Sequence, residues 1–403
     1  MVVALTLAFL LSVTEFRHIL VLFAFSVRIT FSDLLITVDD FSKGFLLLSG
    51  LVLFIRRIFF TDGLGVFVML VVMIRFVVRS SFWFLLVFEL VLVPVCLLIL
   101  IGKGGERFVR SIFLLVYTLL FSVPFLLVCI KVFSLGGWFS LSLFTDNLSL
   151  ELMVLCFLVF LIKFPVFLFH SWLPRAHVEA PTLGSVILAA CILKLGSYGL
   201  TRFIVFLGEG FWCFFFVLGV LGSLFSRVAC FFSSDLKGIV ALSSVFHMSL
   251  VFSSIILFSE SRILRVLMVS CAHGFISAFL FYLVGVFYDS SSSRSLFIIR
   301  GVYLTFFGLL MLMGGFFINS SLPLTIQFFS ELVITITLVS EHFLGLILIF
   351  LSLFVGGVFC STVVFCLGTT TTKSLFSSRY RFYDLSFFFI LLFWRVCCWW
   401  LVC

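Results

Sequence analysis

The sequence predicts an all-α polytopic membrane protein, and three observations carry that prediction. Of its 403 residues, 64% are hydrophobic and only 10% are charged, whereas an ordinary soluble domain holds about 25% charged residues. Mean hydropathy is +1.41, and apolar runs of spanning length alternate with short polar breaks almost to the end. The runs are continuous and do not alternate apolar with polar, which selects helices over barrel strands.

In order along the chain, the runs predict helices near 5–30, 43–60, 64–79, 81–101, 109–132, 148–171, 181–207, 209–232, 236–258, 262–288, 297–318, 324–340, 342–367 and 382–403. The first reads equally as two short segments, because Glu15, Arg17 and His18 interrupt it. The opening residues lack the Arg-rich, acid-poor character of a transit peptide and a small-residue cleavage site, so the first segment is expected to stay and span. Asp289 to Ser295 and the threonine run 369–372 are polar tracts between spans and read as solvated loops. Trp399-Trp400 suits an interfacial belt at the end of the final segment.

The formal charge is +8, but much of it lies in clusters between apolar runs, such as Arg56-Arg57 and Arg379 with Arg381. That is the pattern of loops at a membrane surface, not of a nucleic-acid face. The 12 cysteines are scattered singly apart from Cys397-Cys398, with no CxxC pair or Cys/His cluster at metal spacing. They read as small hydrophobes. Neither GxGxxG nor a Walker sequence occurs, so redox chemistry associated with this chain is assigned to other chains.

An ionisable group inside a spanning helix costs about 2.5–3.5 kcal/mol on insertion scales, so it needs a partner, a watery cavity or a function. Glu89 lies in Trp83-Phe-Leu-Leu-Val-Phe-Glu-Leu-Val-Leu-Val-Pro94 and Lys163 in Leu158-Val-Phe-Leu-Ile-Lys-Phe-Pro165. Lys194 lies in Val186-Ile-Leu-Ala-Ala-Cys-Ile-Leu-Lys-Leu-Gly196, and Glu331 in Gln327-Phe-Phe-Ser-Glu-Leu-Val-Ile334. Two acids and two bases on four helices form a set suited to proton handling, because a moving carboxylate switches a desolvated lysine between holding and releasing its proton. The alternative is a set of structural ion pairs or side chains reaching for an interface. His247 and His273 also fall inside helices, as relay imidazoles or as satisfied buried histidines. Lys237, beside Asp235, either faces the surface or begins a line towards His247.

Backbone breaks fall beside these charges. Pro165 removes an amide donor two residues after Lys163 and is expected to kink the helix. Pro174 and Pro181 are expected to leave Trp172 to His177 non-helical or broken, with Arg175, His177 and Glu179 near a membrane face, pairing with one another or with water. A second break, Asn319-Ser-Ser-Leu-Pro323, precedes Glu331. Paired breaks of this kind are the pattern of inverted-repeat transporters.

The stretch Lys163-Phe-Pro165, followed by His170-Ser-Trp-Leu-Pro-Arg-Ala-His-Val-Glu-Ala-Pro181, resembles the signature of the antiporter-like membrane subunits of respiratory complex I. Phe88-Glu89, Gly105-Glu-Arg107, Leu193-Lys-Leu-Gly-Ser-Tyr-Gly199, Ser234-Asp-Leu-Lys237, Ser243-Ser-Val-Phe-His-Met248, Ala272-His-Gly274 and Phe329-Ser-Glu331 extend the resemblance in order over about residues 80–335. The resemblance implies about 13–14 transmembrane helices and two inverted five-helix repeats, each with a broken helix. It divides the chain into N-terminal helices at 1–79, repeats at 80–207 and 208–367, and a polar linker with a last helix at 368–403. It implies a non-redox subunit of NADH:ubiquinone reductase that moves protons across the mitochondrial inner membrane. NAD, FMN, iron-sulfur clusters and ubiquinone would then be bound by partner subunits, and the partners would be other complex I membrane subunits and membrane lipids. Within the resemblance Glu89, Lys163, Lys194 and Glu331 carry proton translocation, with His247, His273 and Lys237 as relay residues. A cation/proton antiporter subunit of the same superfamily and a non-conducting scaffold are the alternatives. The chain departs from the family in three places. The residues before Glu89 are few, so an N-terminal helix is expected to be missing or shortened. Pro323-Leu324 stands for a proline pair and Ser330 for a glycine, which predicts a milder second break.

Overall fold

A backbone wrapped in apolar side chains must satisfy its own N–H and C=O groups, and the continuous apolar runs do so by coiling into helices. The computed structural model describes residues 63–77, 81–102, 104–134, 150–203, 212–257, 262–291, 293–296, 306–323, 325–341 and 343–368, with a few positions between 42 and 52. Along them run α1 (Gly63–Val77), α2 (Ser81–Ile101), α3 (Arg107–Ser134), α4 (Leu150–Lys163) and α5 (Trp172–Glu179). Next come α6 (Thr182–Ile187), a π-helical turn (Leu188–Ile192) and α7 (Leu193–Phe203). The remainder are α8 (Trp212–Phe232), α9 (Leu236–Ile256), α10 (Arg262–Ser291), α11 (Phe306–Asn319), α12 (Ile326–Glu341) and α13 (Phe343–Gly368). The expected helices at 5–30 and 382–403, and the threonine run, lie outside the described residues. Six of the described stretches are long and apolar enough to cross a membrane by length and composition.

Two of those stretches, α9 and the α6–π–α7 run, are buried almost throughout and form the centre. Helices α8 and α10 pack on α9, α10 also meets α6 and α12, and α13 closes against α8. On the other side α1, α2, α3 and α4 pack in sequence, and α4 meets α7. Helix α9 carries many serines yet is buried on every face. It tolerates them because each hydroxyl bonds back to its own helix, as Ser243 does to the Val240 carbonyl at 2.8 Å and Ser249 to Val245 at 2.6 Å. The outward side chains are themselves apolar, including Leu120 and Leu127 on α3 and Phe350 and Phe365 on α13. That is the surface a lipid-facing helix presents.

The first break differs from the expected kink. The helix stops at Lys163 and does not resume until Trp172, so one predicted helix over 148–171 becomes α4 and a non-helical segment. The Trp172 indole N–H reaches back over the gap to the Ile162 carbonyl at 2.9 Å, satisfying an acceptor that the ended helix would leave open. Trp172–Glu179, expected to be broken, is a helix. Pro174 is tolerated there because it sits in the first turn, where no intrahelical partner awaits its missing N–H. The second break is a full interruption rather than a mild one. Helix α11 ends at Asn319, α12 begins at Ile326, and Ser321 between them adopts a positive φ of 65°.

The tract after α10 is also not a free solvated loop. Ser295 pairs with Asp235, and the Leu236 and Leu296 amides donate across to Arg294 and Ser234 at 3.0 and 2.8 Å.

Candidate functional site

The residue pair nearest the first break comes from α2 and α4. Lys163, the last residue of α4, donates its ammonium to Glu89 Oε1. The same ammonium lies 3.9 Å from the ring centroid of Phe88, so the cation is held by a carboxylate and an aromatic face together. Glu89 Oε2 is buried and accepts no hydrogen bond. Half of the carboxylate is therefore committed to the lysine, and half is open to a new donor.

Lys194 follows one helix further in. Its helix lies close to the first break because residue 196 is glycine: a Cβ there would stand 3.1 Å from the Phe164 amide nitrogen and 3.2 Å from the Lys163 carbonyl. The Lys194 ammonium is fully buried and donates to the Ala189 carbonyl in the π-helical turn at 2.7 Å. Turns of this type often mark functional positions because they disturb the regular ladder. The lysine stem passes Gly274, where a Cβ would stand 3.3 Å from Lys194 Cε. This brings Lys194 beside the next axis residue, His273. Both ring nitrogens of His273 are buried without a hydrogen-bond partner, and its ring centroid is 4.8 Å from that of His247.

His247 joins the axis to the second break. Its Nε2 lies 3.2 Å from Asn319 Oδ1, an acceptor, and 3.0 Å from the Gln327 amide nitrogen. Its Nδ1 lies 2.9 Å from Glu331 Oε1 and 2.8 Å from the Gln327 amide nitrogen. In the tautomer that donates Nε2–H to Asn319, Nδ1 is the exchangeable position: protonated it donates to Glu331, and unprotonated it accepts from Gln327. The carboxylate also accepts from Gln327 at 2.9 Å and from the Ser321 hydroxyl in the break. A charged group deep in an apolar bundle is thus surrounded by donors, as burial demands.

Lys237 stands apart from this line. It sits at the start of α9 and donates to the Ala180 carbonyl at the end of α5, at 2.8 Å. The adjacent Glu179 lies 3.8 Å from Arg110 and 3.7 Å from Arg294, and Arg294 also donates to the Val178 carbonyl. Cations from three separate segments therefore fasten the α5–α6 elbow. The expected pairing of Glu179 with Arg175 or His177 is replaced by this arrangement. Arg175 covers the Phe113 ring at 4.6 Å, and His177 is 0% exposed and stacked on Phe281 at 4.3 Å. His170 stacks on Phe167 at 4.9 Å.

Three buried arginines escaped the sequence reading. Arg75 on α1 lies 5.3 Å from the Phe88 ring that also receives Lys163. Arg227 on α8 lies 3.7 Å from the Phe246 ring, and Arg265 on α10 points at the Ser254 carbonyl at 3.4 Å. Depth within an apolar run, the signal that singled out Lys163, also marks Arg227 in Leu224-Phe-Ser-Arg-Val-Ala-Cys230. Arg75 is two residues from the end of its helix and reads from sequence as an interfacial cation.

Much of the chain is similar to known proteins. Residues 79–356 match the family described as NADH:quinone oxidoreductase/Mrp antiporter, transmembrane. The chain is 38% identical to NADH-ubiquinone oxidoreductase chain 4 of Ascaris suum over 61% of its own length and 60% of that protein's. It is 39% identical to the chain of the same name from Rhipicephalus sanguineus, over 64% of its own length and 60% of the relative's. The matched region thus spans about 60% of these relatives. A chain in the structure of respiratory complex I from Thermus thermophilus with bound NADH superposes with a TM-score of 0.79 at 23% identity, covering 89% of this chain and 80% of that one. That likeness is one of fold. The chain belongs to the NADH:quinone oxidoreductase/Mrp antiporter transmembrane family.

Proposed function

We propose that the chain is a proton-translocating membrane subunit of an NADH:ubiquinone oxidoreductase in the mitochondrial inner membrane. The single observation that supports this most is the line of buried polar side chains from the Glu89–Lys163 pair through Lys194, His273 and His247 to Glu331. A scaffold has no need of lysines at such depth, because apolar side chains would serve stability better.

In this reading Glu89 holds Lys163 protonated by electrostatic attraction. A change passed on from a neighbouring subunit separates the pair, and the desolvated lysine then yields its proton. Lys194 and His273 receive it, with water bridging where no direct bond joins them. His247 accepts on Nδ1 and delivers to Glu331, and the pair titrates as a unit. Lys237 is assigned to fastening the elbow rather than to the relay, since it is bonded to Ala180. The energy comes from electron transfer in partner subunits that carry the flavin, the iron-sulfur clusters and the quinone site. The two breaks are proposed to lie in corresponding positions of two inverted repeats.

The family description also covers Mrp antiporters, so a cation/proton antiporter subunit is the second reading. Purification of the native assembly separates the two. Flavin and iron-sulfur chromophores that co-purify with this chain support the oxidoreductase reading. A purely membranous assembly without them would overturn it in favour of the antiporter.

A further inference from the structure

The acids of the axis each meet a base, but Arg227 has no such partner. It is 1% exposed, and the ion pairs found among the described residues do not include it. Its Nε and Nη1 have no hydrogen-bond partner. An uncompensated cation in a buried position is costly and projects its field a long way through an apolar surrounding. The groups within that field are therefore its chemistry.

The guanidinium occupies a slot that exists because residue 356 is glycine: a Cβ there would stand 2.8 Å from its central carbon and from Nε. It meets neighbours of the terminal part of the axis on two sides. On one side it lies 3.7 Å from the Phe246 ring, which is 4.8 Å from the ring of His247. On the other, the Cys360 thiol interacts with both Arg227 and Ser320, and the next residue, Ser321, donates to Glu331. The guanidinium thus lies one ring away from His247, and its path to Glu331 runs through Cys360 and the Ser320-Ser321 break. Arginine stays charged at every accessible pH. A fixed positive charge near an imidazole disfavours a proton on it, and His247 shares its proton with Glu331.

We propose that Arg227 is a positioning residue for the Glu331 end of the axis, a permanent cation that empties the His247–Glu331 pair of its proton and so drives release. This deepens the proposed function and rests on it. The titratable groups around the guanidinium are His247 on α9, His273 on α10 and Cys360 on α13, with Cys230 on Arg227's own helix. A purely structural Arg227, holding α8 to α9 through the Phe246 ring and to α13 through the Cys360 thiol, would affect assembly but not the pH at which release fails.

The test uses the intact complex in sealed vesicles, with proton transport followed against pH for Arg227→Gln, Arg227→Lys, Gly356→Ala and Glu331→Gln. Arg227→Gln is expected to move the acid limb of the profile up by about one pH unit, close to a tenfold loss on that limb. Arg227→Lys keeps the charge and is expected to keep the profile. Gly356→Ala displaces the guanidinium and is expected to shift the limb in the same direction, which supplies the answer if Arg227→Gln does not assemble. An unshifted profile in Arg227→Gln, or in Gly356→Ala where that variant decides, overturns the inference, as does an equal shift in Arg227→Lys. Full transport by Glu331→Gln overturns the proposed function itself. A silent Glu331→Gln beside a wild-type Arg227→Gln removes only the role of Arg227.

Discussion

The imidazole of His247 meets Glu331 across the second helix break, Nδ1 to Oε1 at 2.9 Å, while Asn319 holds the opposite ring nitrogen. The Asn319 oxygen favours the tautomer with its proton on Nε2, which leaves Nδ1 to exchange a proton with Glu331. Asn319→Leu therefore frees the ring to adopt the other tautomer, with Nδ1 no longer the reserved site. A net hydrogen bond of about 1 kcal/mol corresponds to a loss of roughly five- to tenfold in transport. Proton uptake by vesicles containing the variant checks this, and assembly of the complex should be unaffected.

Glu89→Gln keeps the shape of the side chain and removes the charge that faces Lys163. Leaving one partner of a buried pair alone costs about 3–5 kcal/mol. The expected result is loss of proton transport together with a lower unfolding temperature. Adding Lys163→Gln to Glu89→Gln should return most of the thermal stability and none of the transport, a separation that a double-mutant cycle measures directly.

Trp172→Phe fills nearly the same volume but removes the donor that satisfies the Ile162 carbonyl across the first break. A buried acceptor left open costs about 1–3 kcal/mol. The variant should assemble with reduced thermal stability. Hydrogen exchange should rise first at the amides of the α4 end, next to Lys163.

Gly196→Val places a branched side chain where a Cβ alone would already stand 3.1 Å from the Phe164 backbone. Overpacking of this kind costs about 1–3 kcal/mol. Because α7 must move away from the break, Lys194 moves with it, and transport is expected to fall further than stability. A comparison of Gly196→Ala with Gly196→Val in the same vesicles gives the graded response.

Much of this was legible in the letters. Apolar runs fixed the positions of most helices, and depth within a run marked Glu89, Lys163, Lys194 and Glu331, because burying charge is expensive whatever the fold. The breaks were located from Pro165 and from Asn319 to Pro323, but their extent was not. Whether a proline kinks or ends a helix depends on which donors cover the freed carbonyls, and Trp172 supplies that cover from beyond the gap. Pairings across helices were equally hidden. Glu179 meets Arg110 and Arg294, residues from distant parts of the chain, where local spacing had suggested Arg175 or His177. Depth in its run marks Arg227 as well, but nothing in that run names Phe246 or Gly356 as its neighbours.

The most direct test of the account is the number of protons moved per electron by the complex carrying Lys163→Ala, measured in sealed vesicles with assembly checked on the same preparation. The account predicts an assembled complex whose coupled proton transport is abolished, because the group that accepts and yields the proton beside Glu89 is gone. Near-normal proton transport by that variant would contradict it.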